Sequence, residues 1–198
     1  MRRTDLYRIV YKSVLAGVLI ALAGTLYLRS ENMVVGALLF SIGLISVVAL
    51  DAKLYTGVIG YCNSLGSFAD AAVILILNIL SAFLVGLCYR NGHGSIEIMD
   101  MIMMKSPLTL FLDSMGCGCC IYLSIEAYKR TKSMFPLVLG VMAFILAGFT
   151  HCIALSFYIG ASEPELIHFS YLVICILGNS LGSLLIRFLQ SGGKNELY

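Results

Sequence analysis

The chain has 198 residues, 60% of them apolar and 12% charged, with a formal net charge of +2 and a mean hydropathy of +0.94. So apolar a composition excludes an ordinary water-soluble domain, and the small positive balance gives no support for nucleic-acid binding. A bilayer core takes roughly 20 apolar residues per helix, and such stretches lie at 11–28, 33–50, 70–89, 107–127, 134–160 and 167–190. They use most of the chain. Residues 1–198 are therefore expected to form a single transmembrane domain, with any chemistry confined to short loops and the space between helices.

The first stretch follows the basic segment MRRTDLYRIVYK. A signal peptide is not the expected reading, because residues 11–28 are long enough to span and no small-residue cleavage site leads into a soluble chain. If six spans are drawn, Arg2, Arg3, Arg8, Lys12, Lys129, Arg130, Lys132, Arg187 and Lys194 fall on one side of the membrane. Arg29, Arg90 and Lys105 fall on the other. By the positive-inside rule both termini are expected in the cytoplasm, as in a multi-pass protein of the cell inner membrane.

The second stretch runs from Phe40 to Leu50 and then meets Asp51, Lys53 and Thr56. The fifth runs from Leu137 to Phe149 and then meets Thr150 and His151. Polar backbone at membrane depth is tolerated where it is buried in protein or lines a cavity, so both interruptions predict broken helices turned into a shared interior. The third and sixth stretches each carry an asparagine in an apolar setting, Asn78 and Asn179. Paired broken helices in two three-helix halves point to a transport site near the midplane. Gly178 and Gly182 add a GxxxG spacing that favours close helix packing.

Seven cysteines, an odd number mostly inside apolar stretches, argue against a disulfide framework. Cys117, Cys119 and Cys120 cluster without partners at metal-site spacing, and small-residue packing is the expected role; no metal and no cofactor is implied. His93 and His168 are expected in solvated loops. Asp113 and Glu126 are costly facing lipid and are expected at an interface, with Lys105 as a partner for Asp113. No H-E-x-x-H or G-x-S-x-G motif appears, so an enzyme is not expected.

The chain resembles the formate/nitrite transporters over roughly residues 11–190. The resemblance rests on Lys12–Gly17, on Phe40–Leu44 followed by Ala52–Gly57, on Ala147–His151, and on Gly178–Gly182. It implies an all-α, aquaporin-like fold of six transmembrane helices in two inverted three-helix repeats, with broken second and fifth helices. It also implies a homopentamer with a pore through each protomer. Carried over, Phe40 and Leu44 resemble the cytoplasmic hydrophobic slit and Phe144 the periplasmic one. Thr56 resembles the gating-loop threonine, His151 the central pore histidine with Thr56 as its neighbour, and Lys105 the vestibule lysine.

The chain departs from the family pattern in three places. Gly118 stands where most members carry a pore asparagine, Leu155 where they carry another, and Thr150 where many are acidic. The expected activity is permeation of a small monovalent anion of a weak acid, of the formate, nitrite or hydrosulfide type. An apolar slit excludes hydrated ions, burial favours the neutral imidazole, and an approaching anion favours the charged one. A weak acid can thus cross as anion plus proton. The alternative is a proton-coupled secondary transporter of another small carboxylate such as acetate or lactate. The expected partners are the anion, membrane lipid and further copies of the chain.

Overall fold

The computed structural model describes residues 3–90 and 94–192, and every regular element among them is helical. α1 spans Arg3–Leu28, α2 Met33–Ala49, α3 Tyr55–Val58, α4 Leu65–Cys88 and α5 Ser95–Met103. α6 spans Pro107–Thr131, α7 Phe135–Leu146, α8 Cys152–Ala161 and α9 Leu166–Gly192. A 3-10 turn, Ile59–Tyr61, follows α3 directly. His93, Arg2 and Lys194 lie outside the described residues.

Four helices, α1 from Tyr7 onward, α4, α6 and α9, are long and apolar enough to cross a bilayer. α2, α7 and α8 are apolar but have only 17, 12 and 10 residues. Local chemistry sets several starts. The Asn32 side chain accepts from the Val34 and Val35 amides at the head of α2, and Ser106 caps α6 with Pro107 at its first position. Ser64 and Ser67 form a reciprocal capping box. That box starts α4 at Leu65, ahead of the residue 70 that hydropathy predicts.

The exterior is apolar, as lipid demands: Leu84 is 59% exposed, Leu177 58% and Phe188 71%. The interior is assembled from small residues. α6 packs on α9, where Gly178 and Gly182 meet the carbonyls of Phe111 and Met115 so closely that a Cβ would collide with backbone. α1 packs on α2 and α4, α6 on α7, α2 on α7, and α4 on α8.

The two polar interruptions are breaks between helices, and they are built alike. After α2 the chain turns at Asp51, φ 50°; after α7 it turns at Gly148, φ 72°. In the first, the Ala52 amide donates to Val47 and the Asp51 amide to Val48; in the second, Phe149 donates to Phe144 and Gly148 to Ile145. This is the Schellman pattern, in which a left-handed residue lets the last carbonyls of a helix find donors. Each break is then pinned by an asparagine with its whole amide used. Asn78 Oδ1 accepts from the Tyr55 amide, while its Nδ2 donates to the Ser13 and Lys53 carbonyls. Asn179 Oδ1 accepts from the Cys152 amide, while its Nδ2 donates to Ser114 and Thr150.

Two features differ from the sequence expectation. α5 falls outside every predicted stretch, because nine residues with Glu97 and Asp100 are too short and too charged to read as a span. His168 is not in a solvated loop. It lies in the first turn of α9, 9% exposed, with Nδ1 accepting from the Glu165 amide. A histidine can close a helix N-terminus as a serine would, and that use is invisible to hydropathy.

Candidate functional site

The site forms where the two breaks meet. His151 is the residue before α8, 4% exposed, and its Nδ1 accepts from the Ala154 amide at 3.3 Å. An acceptor at Nδ1 places the proton of the neutral ring on Nε2. Nε2 lies 2.9 Å from Thr56 Oγ1, so the ring donates to the threonine across 95 positions of sequence. Thr56 is itself 1% exposed, in the short helix α3.

Phe144 lies beside the imidazole, ring centroids 6.1 Å apart, and Phe40 meets Phe144 edge to face at the same separation. This aromatic pair separates two spaces. On one side is a cavity of about 180 Å³, walled by Tyr27, Met101, Phe149 and Tyr158 and reached by Lys105, Thr150 and His151. On the other is a void of only about 10 Å³, enclosed by Leu44, Leu54, Ile121 and Val141, with Phe40, Phe144 and His151 as its shared wall. Leu54 in turn borders a third cavity of about 390 Å³ that holds Asp51, Lys53, Tyr61 and Lys129. The three spaces thus share wall residues in succession, with charged side chains reaching the two end cavities and none reaching the void between them.

The two ends carry charge differently. Lys105 Nζ donates to Asp113 Oδ2 at 2.7 Å, to the Gly148 carbonyl at 2.6 Å and to Thr150 Oγ1 at 3.4 Å. One ammonium therefore ties α6 to the second break, with about a fifth of its side chain open to solvent. At the opposite end Asp51 is paired with Lys12 and lies 3.9 Å from Arg8 and 4.0 Å from Lys53.

The sequence of this chain matches the formate/nitrite transporters over residues 2–189. The chain belongs to the formate/nitrite transporter family. Its fold is similar to that of a pentameric formate channel with formate bound, with a TM-score of 0.83 and 18% identity, covering 97% of this chain and 98% of that one. It is also similar to an FNT family ion channel, with a TM-score of 0.86 and 18% identity, over 96% and 91%. No curated protein sequence matches. Identity this low establishes the fold alone, and the family places the chain among membrane transport proteins.

Within this formate/nitrite transporter family member, His151, Thr56, Phe40, Leu44, Phe144, Lys105 and Thr150 border the chain of cavities or bond to its walls. Phe40 pairs with Phe144 and borders both the Lys105 cavity and the void, while Leu44, one helical turn further along α2, borders the void. Asn78 and Asn179 are fully buried behind the breaks and touch backbone, not cavity. Gly118 sits at the crossing of α6 and α9, where a Cβ would collide with the Asn179 carbonyl. Leu155 is buried in α8, its amide donating to the His151 carbonyl. Neither Gly118 nor Leu155 lines the void.

Sequence reasoning missed Ile121 and Val141, because an isolated apolar residue in an apolar helix carries no signal of its own, and Leu54, an apolar residue within a break read for its polar neighbours. It also passed over Tyr61 and Gln190. Their hydroxyl and amide stand inside or beside apolar stretches, which is the signal that drew attention to Asn78 and Asn179.

Proposed function

We infer that this protein is a channel for small monovalent anions of weak acids, of the formate, nitrite or hydrosulfide type. The observation that supports this best is His151, bonded to Thr56 and set against the Phe40–Phe144 pair between a lysine-bearing cavity and an apolar void. The reading places six transmembrane helices in two inverted halves, with α2–α3 and α7–α8 as the broken spans. It takes a homopentamer with a pore in each protomer, which the similarity to a pentameric formate channel supports. It sets the Lys53–Lys129 cavity and both termini on the cytoplasmic side of the inner membrane, consistent with the count of basic residues.

The chemistry follows from the cost of desolvation. Lys105 attracts an anion to the first cavity, and the aromatic pair strips its water, which strongly favours protonation of a carboxylate. With the anion beside His151, the ring takes a proton from the cavity at Nδ1, releasing the Ala154 amide, and gives its Nε2 proton to the anion, so that ring, proton and anion become neutral imidazole plus neutral acid. The neutral acid crosses the apolar void and ionises again at the far cavity. Phe40, Leu44 and Phe144 exclude hydrated ions, and Thr56 and Thr150 orient the ring and the lysine.

Proteoliposome flux of formate, nitrite, acetate, lactate, hydrosulfide and chloride across several pH values tests this reading. Uptake of the weak-acid anions is expected to rise as external pH falls, with chloride excluded. Flux independent of pH, or chloride passing as fast as formate, overturns it. Saturating flux of acetate or lactate coupled to a proton gradient assigns the chain to secondary transport instead.

A further inference from the structure

The half-helix that carries Thr56 is too short to hold itself. α3 has four residues and closes less than two turns before the 3-10 turn takes over, far below the length at which a helix is stable alone. Its upstream end is pinned by Asn78 on the Tyr55 amide. The downstream end, at Tyr61 in the wall of the third cavity, reaches a second anchor.

Tyr61 Oη donates to Glu126 Oε2 at 3.0 Å. The other carboxylate oxygen, Oε1, accepts from Gln190 Nε2 at 2.8 Å and from the Arg130 guanidinium at 3.0 Å. Gln190 Oε1 accepts from Tyr122 Oη at 2.6 Å. The Tyr61 ring stacks on Tyr122, centroids 5.2 Å apart, with Lys129 Nζ over its face at 3.3 Å. α6 thus supplies a carboxylate, an aromatic ring and an ammonium to Tyr61 at the end of the turn, and Gln190 of α9 braces both the carboxylate and Tyr122. Bonds to an ionised carboxylate are about twice as strong as neutral ones, and a lattice of several partners restricts the tyrosine more than one bond can.

We propose that Glu126 and Tyr61 are positioning residues that hold the Thr56 turn against His151, so that they govern permeation through the Thr56–His151 contact. This rests on the reading of Thr56 and His151 as the centre of the pore. The turn is a strut between Asn78 and Glu126, and Thr56 sits within it. Releasing the Tyr61 end lets the turn swing, and the 2.9 Å bond to Nε2 is the contact that suffers.

The test uses the full-length oligomer labelled with nitrogen-15 histidine, its three histidines told apart by replacing each in turn. The His151 Nε2 resonance reads the bond to Thr56 directly. Tyr61→Phe, which removes one hydroxyl, and Glu126→Ala are expected to move that resonance toward its position in Thr56→Ala. Glu126→Gln keeps an acceptor oxygen and is expected to restore most of it. In proteoliposomes Tyr61→Phe lowers flux about tenfold in the native background and causes no further loss in Thr56→Ala. A resonance unmoved by Tyr61→Phe, or flux losses that multiply in the double variant, overturns the proposal. Should Glu126→Ala fail to assemble, Tyr61→Phe decides alone. Should the native protein pass none of the anions, the channel reading fails while the resonance still decides the positioning role.

Discussion

The two breaks share a backbone and differ in what they display. Leu54 before α3 has φ −97° and ψ 127°; His151 before α8 has φ −98° and ψ 125°. Each follows a Schellman turn and precedes a helix whose first amide donates to a buried asparagine. At this one position one break presents an isobutyl group with no side-chain cap, and the other an imidazole that caps its own helix. The helices beyond are also unequal, four residues against ten. The comparison teaches that the scaffold and the chemistry are separable. One set of turns and asparagines builds both breaks, and a single side chain gives one of them a group that can carry a proton.

Replacing that side chain gives the largest expected effect. His151→Leu makes the second break resemble the first, and the Leu54 dihedrals show that leucine fits this backbone. Weak-acid flux in proteoliposomes is expected to fall about a thousandfold, within the range ascribed to a positioned acid or base, with the oligomer intact by size-exclusion chromatography. Collapse of the oligomer instead would mean that the imidazole cap is structural.

The shared scaffold is tested next. Asn78→Ala and Asn179→Ala each remove three hydrogen bonds to buried backbone. Each is expected to cost about 3 kcal/mol, read as matching losses in the thermal stability of the detergent-solubilised protein. A large loss for one and a small loss for the other would show that the two breaks are held differently.

Smaller effects separate the breaks further. Gly148→Ala puts a Cβ at φ 72° and is expected to cost about 1 kcal/mol in the same melting experiment. The first break already bears that strain at Asp51. Asp113→Asn removes the counterion of Lys105, so anion flux is expected to rise two- to threefold at low ionic strength and return toward the native rate above ~0.15 M salt.

Much of this was legible because a bilayer punishes unpaired polar groups. Asp51, Lys53, Thr150 and His151 interrupt apolar stretches, and the breaks lie where they do. Asn78 and Asn179 stood out for the same reason, and both turned out to spend every amide atom on the breaks. The seating of Phe40 with Phe144 was not legible, since either face of an apolar helix reads alike when its exterior is lipid. Nor was Glu126 as an anchor for Tyr61, a pairing between residues 65 positions apart. α5 and the buried cap at His168 escaped because one is short and charged and the other is defined by a backbone amide.

By itself the sequence determined the solvent through its hydropathy, the family through its motifs, and, because burying an unpaired dipole is costly, the places where helices must stop and the polar groups that must find partners. Only the tertiary structure decided which partners they find. It put the expected Thr56 neighbour of His151 on Nε2, set Lys105 on the second break, and placed Leu54 opposite an imidazole at a matching turn. These are contacts between distant segments, and they follow from packing geometry rather than from hydropathy, which records a residue's preferred solvent but not its neighbours.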